Sequence, residues 1–140
     1  VTLPSSDPTA PLSGPALLDA VTDAIVALHL RYYGRAPATA KTTRLGDDLL
    51  ACTLGGIYTD VEKTMIELER ADDVHDTRRI FQASTRHTYV DAVQRLSGRA
   101  VLASVSNFHV GPDLAVELFW LAPWTAAEPR ASRSGNARSL

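Results

Sequence analysis

Gly34-Arg35-Ala36 and Gly98-Arg99-Ala100 open two stretches of this chain that read alike. The first runs through Asp48-Leu49-Leu50-Ala51 to Leu54, the second through Asp113-Leu114-Ala115 to Leu118. Each follows an amphipathic helical run and reads as two short strands joined by a tight turn, with a one-residue slip in the turn. A helix followed by a hairpin, twice over, decides the fold class: duplicated helix-hairpin halves of one α+β domain, with pseudo-twofold character. It identifies no reaction.

Working outward, the first helix covers residues 15–33. Ser13 offers a cap, Pro15 suits a first turn where a missing N–H costs nothing, and Gly34 closes the far end. Leu17, Leu18, Val21, Ala24, Ile25, Leu28 and Tyr32 recur at three- and four-residue steps and form its core-facing stripe. Val26, Leu30 and Tyr33 add apolar surface outside that stripe. Pro37 holds the chain extended, and residues 38–45 and 49–54 read as a hairpin around Gly46-Asp47-Asp48. Thr59-Asp60-Val61-Glu62 has the spacing of a capping box and opens a short helix. Asp73 is placed to cap a long helix over residues 74–97, with Ile80, Phe81, Ser84, Thr88, Tyr89, Ala92, Val93 and Leu96 as its buried side. Two strands follow over residues 101–108 and 114–121. In the last one Leu114, Val116, Leu118 and Trp120 share one face, while Ala115, Glu117, Phe119 and Leu121 share the other. Both faces are largely apolar, so one is expected to meet another subunit or layer. The order α-β-β-α-α-β-β predicts an antiparallel four-stranded sheet with helices on one face.

The chain has 140 residues, 45% of them hydrophobic, which suffices for one domain with a real core. Residues 1–12, with Pro4, Pro8 and Pro11, read as a disordered leader. Residues 123–140, rich in Ser, Ala and Arg, read as a disordered tail, leaving 13–122 as the single folded domain. A formal net charge of −2 gives no reason to expect nucleic acid as a partner. The longest apolar runs, interrupted by His29 and by Glu117, fall far short of the roughly 20 residues a bilayer span needs, so no direct membrane insertion is expected. Cys52 is the single cysteine, which fits a reducing cytoplasm, and in an apolar strand it acts as a small hydrophobe.

Several strings carry a family resemblance: Arg31-Tyr32-Tyr33-Gly34-Arg35-Ala36-Pro37, the helix start at Thr59…Glu62-Lys63-Thr64, Arg78-Arg79-Ile80-Phe81, and Val110-Gly111-Pro112-Asp113-Leu114-Ala115-Val116-Glu117-Leu118-Phe119. Together they resemble a small bacterial family, long a domain of unknown function, now named after the C component of a sodium-translocating, membrane-potential-generating system. The resemblance covers nearly all of the folded part. Family members more usually carry Leu-Thr-Pro-Ala-Glu where this chain has Tyr58-Thr59-Asp60-Val61-Glu62, and Asp where it has Gly111. The first departure leaves the capping logic intact; the second weakens any acidic site in that turn. The resemblance implies a link to a membrane ion or bicarbonate transport system and a protein partner within it. It brings no catalytic residues and no cofactor.

The chemistry the residues offer is concentrated on the long helix. His75, Arg79, Gln82 and Arg86 fall at steps of four, three and four and share a face, with Arg78 flanking it. Forked guanidinium donors suit phosphate, carboxylate or bicarbonate, which makes the stripe a candidate anion site. The plain alternative is a solvated helix face. None of the four histidines has the partner spacing of a metal site. His109 and Asp113 in the last hairpin turn, with Arg79 and Arg86, make up the alternative reading, a small anion-binding enzyme. The favoured reading is a non-catalytic interaction or regulatory module that is a homodimer or larger, because no acid, base and nucleophile converge by motif while apolar surface is left over.

Overall fold

The computed structural model describes residues 10–123. Its elements follow the expected order: α1 (Gly14–Tyr33), β1 (Thr39–Leu45), β2 (Leu49–Gly55), α2 (Asp60–Glu67), α3 (Ala71–Ser97), β3 (Val101–His109) and β4 (Leu114–Leu121). Gly34 and Gly98 end α1 and α3 in the left-handed conformation, at φ 73° and 69°, which a glycine adopts without a Cβ penalty. Leu12, from the stretch read as leader, packs on the core and donates its N–H to the carbonyl of Leu96 at 2.8 Å. Residues 1–9 of that leader and 124–140 of the tail lie outside the described residues.

Both hairpins form, and the sheet joins them through their second strands. The strand order is β1-β2-β4-β3, antiparallel throughout, with Leu50 opposite Phe119 and Cys52 opposite Glu117 at the centre. The residues after the two helix caps play matching parts. Arg35 donates from Nε to the carbonyl of Gly56 at 3.2 Å, and Arg99 to that of Ala122 at 2.8 Å, so each ties its helix end to the end of its own hairpin.

The helices cover one face. Leu50, Cys52 and Leu54 of β2 and Phe119 and Leu121 of β4 meet Leu17, Val21 and Ile25 of α1 and Val74, Tyr89 and Val93 of α3. Each buried aliphatic or aromatic side chain contributes roughly 1.5–3 kcal/mol. Cys52 is fully enclosed there, and burial pushes its thiol above the ordinary range. On the other face, Leu45, Val105, Leu114 and Trp120 are exposed. The last strand is therefore apolar towards the helices and apolar towards solvent.

Four local expectations need correction. Ser13 makes no capping bond, and α3 starts at Ala71 rather than after an Asp73 cap, because Asp73 pairs with Arg70 instead. Ile80, Phe81 and Ser84 are exposed rather than buried, Phe81 stacking on Tyr33 with ring centroids 5.4 Å apart. Arg78, expected beside a polar face, is only 1% exposed.

Arg78 is buried because three elements supply what its guanidinium needs. Nε and Nη2 donate to the two carboxylate oxygens of Glu62, each at 2.7 Å, and Nη2 also reaches the carbonyl of Ile57 at 2.9 Å. Its Cζ lies 4.1 Å from the centre of the Tyr33 ring and 4.9 Å from that of Tyr58. Glu62 belongs to the capping box, which forms as expected: Thr59 Oγ1 accepts from the Glu62 N–H at 3.2 Å, and Glu62 Oε1 from the Thr59 N–H at 2.9 Å. Burial pushes the Glu62 carboxyl up, but the bonds from Arg78 and Thr59 outweigh it and hold the group below its ordinary range.

Arg78→Ala should cost about 3–5 kcal/mol in urea denaturation, because it leaves Glu62 half-buried without its cation. Arg78→Lys should recover only part of the loss, since an ammonium cannot reproduce the planar fork. A loss below ~1 kcal/mol for the alanine variant would show that the pair does not hold this corner.

Candidate functional site

Helix α3 crosses the sheet beside its edge strand β3, and a groove lies between them. On the helix side it is lined by His75, Arg79, Gln82 and Arg86, with Ser106, Asn107 and Phe108 of β3 opposite. All four residues of the polar stripe therefore line one concavity of about 310 Å³. The His75 ring packs against Phe108, with centroids 4.5 Å apart. Arg78, the neighbour in sequence, is turned into the core by its helical register: it lies four residues after Val74 and eleven before Tyr89, both buried.

Beneath the groove, towards the core, is a small polar chamber of about 20 Å³, enough for one water-sized group. Gln82, Arg86 and Ser106 line both spaces. The chamber adds His29 and Tyr33 from α1, Tyr89 from α3, and Glu117 and Phe119 from β4. Two of these put a carboxyl and an imidazole at core positions. Glu117, 5% exposed, accepts a short hydrogen bond from Ser106 Oγ. Burial pushes its carboxyl up to about 7, against the opposing pull of the Ser106 bond and the Arg86 charge. His29, 4% exposed, has no hydrogen-bond partner at either ring nitrogen, and its ring lies among those of Tyr33 and Tyr89. Burial, with a smaller push from the Arg78 charge, lowers its pKa to about 4, so it is neutral at ordinary pH.

Neither core group stood out as functional in the sequence, although both left a trace. His29 continues the four-residue steps of Leu17, Val21 and Ile25, and Glu117 shares a strand face with Ala115, Phe119 and Leu121. A polar residue on an otherwise apolar stripe is the signal for such groups.

His109 and Asp113 do not join the stripe. His109 lines a hollow on the exposed face of the sheet, with Thr53, Asn107 and Leu114. The Asp113 carboxylate accepts the N–H groups of Ile57 at 2.8 Å and Tyr58 at 3.4 Å, tying the last turn to the β2–α2 loop. It sets the turn rather than facing the groove. Among the described residues, no group of three or more His, Cys, Asp or Glu could hold a metal ion, and no helix is long and apolar enough to cross a membrane.

Fold and groove together define a small α+β domain with a cationic cleft above a buried carboxyl. The family model described as Na+-translocating membrane potential-generating system (MpsC) matches residues 16–123, and the chain belongs to that family. The family's name ties it to a membrane system that generates potential with Na+. No curated protein and no solved structure matches the chain.

The chamber sets a pH dependence of stability. In the unfolded chain Glu117 titrates near its ordinary 4.5, and in the folded one near 7. The folded state holds this proton more tightly, so stability tied to the protonated form is full below about 4.5 and is lost as pH rises through about 7. Glu117→Gln keeps an acceptor for Ser106 and removes the charge. The variant should be more stable than wild type at pH 8 by about 1–3 kcal/mol, with the gap closing towards pH 4.5. Urea denaturation at both pH values checks this; a gap independent of pH would assign the effect to packing.

Proposed function

We propose that this chain is a non-catalytic regulatory module of a membrane potential-generating system, and that its α3–β3 groove binds a small oxyanion. The observation that carries the reading is the convergence of His75, Arg79, Gln82 and Arg86 on one concave surface. Two guanidinium groups two turns apart supply forked donors for a carboxylate or phosphate, and Gln82 between them adds an amide. The alternative enzyme reading loses its acid–base pair, since His109 and Asp113 lie elsewhere. A cytoplasmic location is part of the proposal, in keeping with a single buried thiol.

Association through the exposed sheet face is the second part, with another copy of the chain as the occupant. Leu45, Val105, Leu114 and Trp120 are exposed, and the register puts Leu114 and Trp120 on the same face as Val105. A face of this kind can meet itself about a twofold axis. The reading of duplicated halves is supported by the paired roles of Arg35 and Arg99 and by the symmetric strand order.

Calorimetric titration with phosphate, bicarbonate and a nucleotide tests the groove. At least one should bind, more weakly as salt rises, and Arg79→Ala and Arg86→Ala should each lower its affinity roughly tenfold or more with the fold intact. No heat from any of them would leave the stripe a solvated helix face. Light scattering at high micromolar concentration should give a dimer, and Trp120→Lys should shift it towards the monomer. A wild type that stays at 15.1 kDa would reject self-association.

A further inference from the structure

The chamber beneath the groove changes what binding an anion would involve. Arg86 lines both spaces, so the guanidinium available to a ligand in the groove is also the cation that acts on Glu117 in the chamber. The other groups facing Glu117 are His29 and Tyr33 from α1, Tyr89 from α3, Ser106 from β3 and, across the ladder, Cys52 of β2. None of these supplies a positive charge at neutral pH: the burial that isolates Glu117 also keeps His29 neutral. His29 instead contributes two ring nitrogens without partners in the same enclosed space. A neutral imidazole carries one acceptor nitrogen, and a protonated carboxyl carries one O–H to give.

We propose that the groove takes up a small oxyanion together with one proton, the anion docking on Arg79 and Arg86 while Glu117 takes the proton from solvent. The proposal rests on the anion reading of the groove. An anion on Arg86 neutralises the charge that favours the ionised carboxylate and adds a like charge close to it. Both changes favour the protonated acid. By linkage the reverse holds as well: protonating Glu117 removes a negative charge from beneath the groove and tightens anion binding by the same factor. The carboxyl is already pushed up to about 7, so a modest further rise loads it at neutral pH. His29 stays neutral and does not compete for the proton.

The test is calorimetric titration with sulfate, which is fully ionised between pH 6 and 8, in two buffers of different ionisation heat. A His75→Gln background removes the imidazole of the outer groove. At pH 7.5, binding should take up a fraction of a proton per anion. Affinity should rise about three- to tenfold from pH 8 to pH 6, as expected for a coupling near one pKa unit. In Glu117→Gln, whose amide mimics the neutral acid, the uptake should vanish and affinity at pH 8 should equal or exceed that of the parent. Sulfate binding without proton uptake, uptake that persists in Glu117→Gln, or loss of binding in that variant would each overturn the coupling. Absence of binding by any anion would instead overturn the reading of the groove itself. The two-buffer measurement on the parent stands even if the variant fails to fold.

Discussion

The ion pair of Arg78 with Glu62 is the constraint on which the rest of the structure depends. It stands where α2, α3, the end of α1 and the loop after β2 meet, and each contributes to it: a carboxylate, the guanidinium, the Tyr33 ring and the Ile57 carbonyl. Glu62 also closes its own helix through the capping box, so one carboxylate fixes both the start of α2 and the roll of α3. A buried charge stays charged only when its hydrogen-bonding capacity is met, and a pair this enclosed tolerates little rotation. With Arg78 pinned inward, the next residue along the helix and its neighbours one and two turns on have one direction left, over β3.

That inward turn explains how much was legible in the sequence. Hairpins and helices are dictated by short-range chemistry, by Gly34 and Gly98, by the Thr59–Glu62 spacing and by alternation along the last strand, and the structure has them in the expected order. The four residues of the anion stripe could be grouped because helical spacing alone puts them on one face. Arg78 could not be placed, because its partner Glu62 sits on another helix and polarity alone argues for solvent. Asp73 and Ser13 matched a capping pattern locally, yet Asp73 found Arg70 first. His29 and Glu117 belong to different halves of the chain, and only the pairing of β2 with β4 and the laying of both helices on that sheet bring them into one chamber.

Charge arrangement across the core follows from this packing. An imidazole, a guanidinium and a carboxyl, those of His29, Arg78 and Glu117, are almost completely buried, and they are handled differently. Arg78 keeps its charge because Glu62 and the Ile57 carbonyl accept from its Nε and Nη2. His29 gives its charge up, because nothing around it compensates for lost water. Glu117 is balanced between the two, with a hydroxyl and the Arg86 cation on its side and burial against it. A domain with a wholly apolar interior would be simpler to stabilise, and the polar chamber sets the α3–β3 side apart from the rest of the core.

The strand order has a further consequence at the margins of the sheet. With β2 and β4 inside, β1 and β3 each present an outer row of backbone donors and acceptors, the kind of template along which sheets polymerise. Both margins are blunted. On β1, Lys41 and Arg44 put positive side chains beside the open row, and β3 breaks its regular pairing between Val101 and Ala103, which twists its first turn away from a flat edge. An incoming strand meets charge on one side and a kink on the other, so the sheet stops at four.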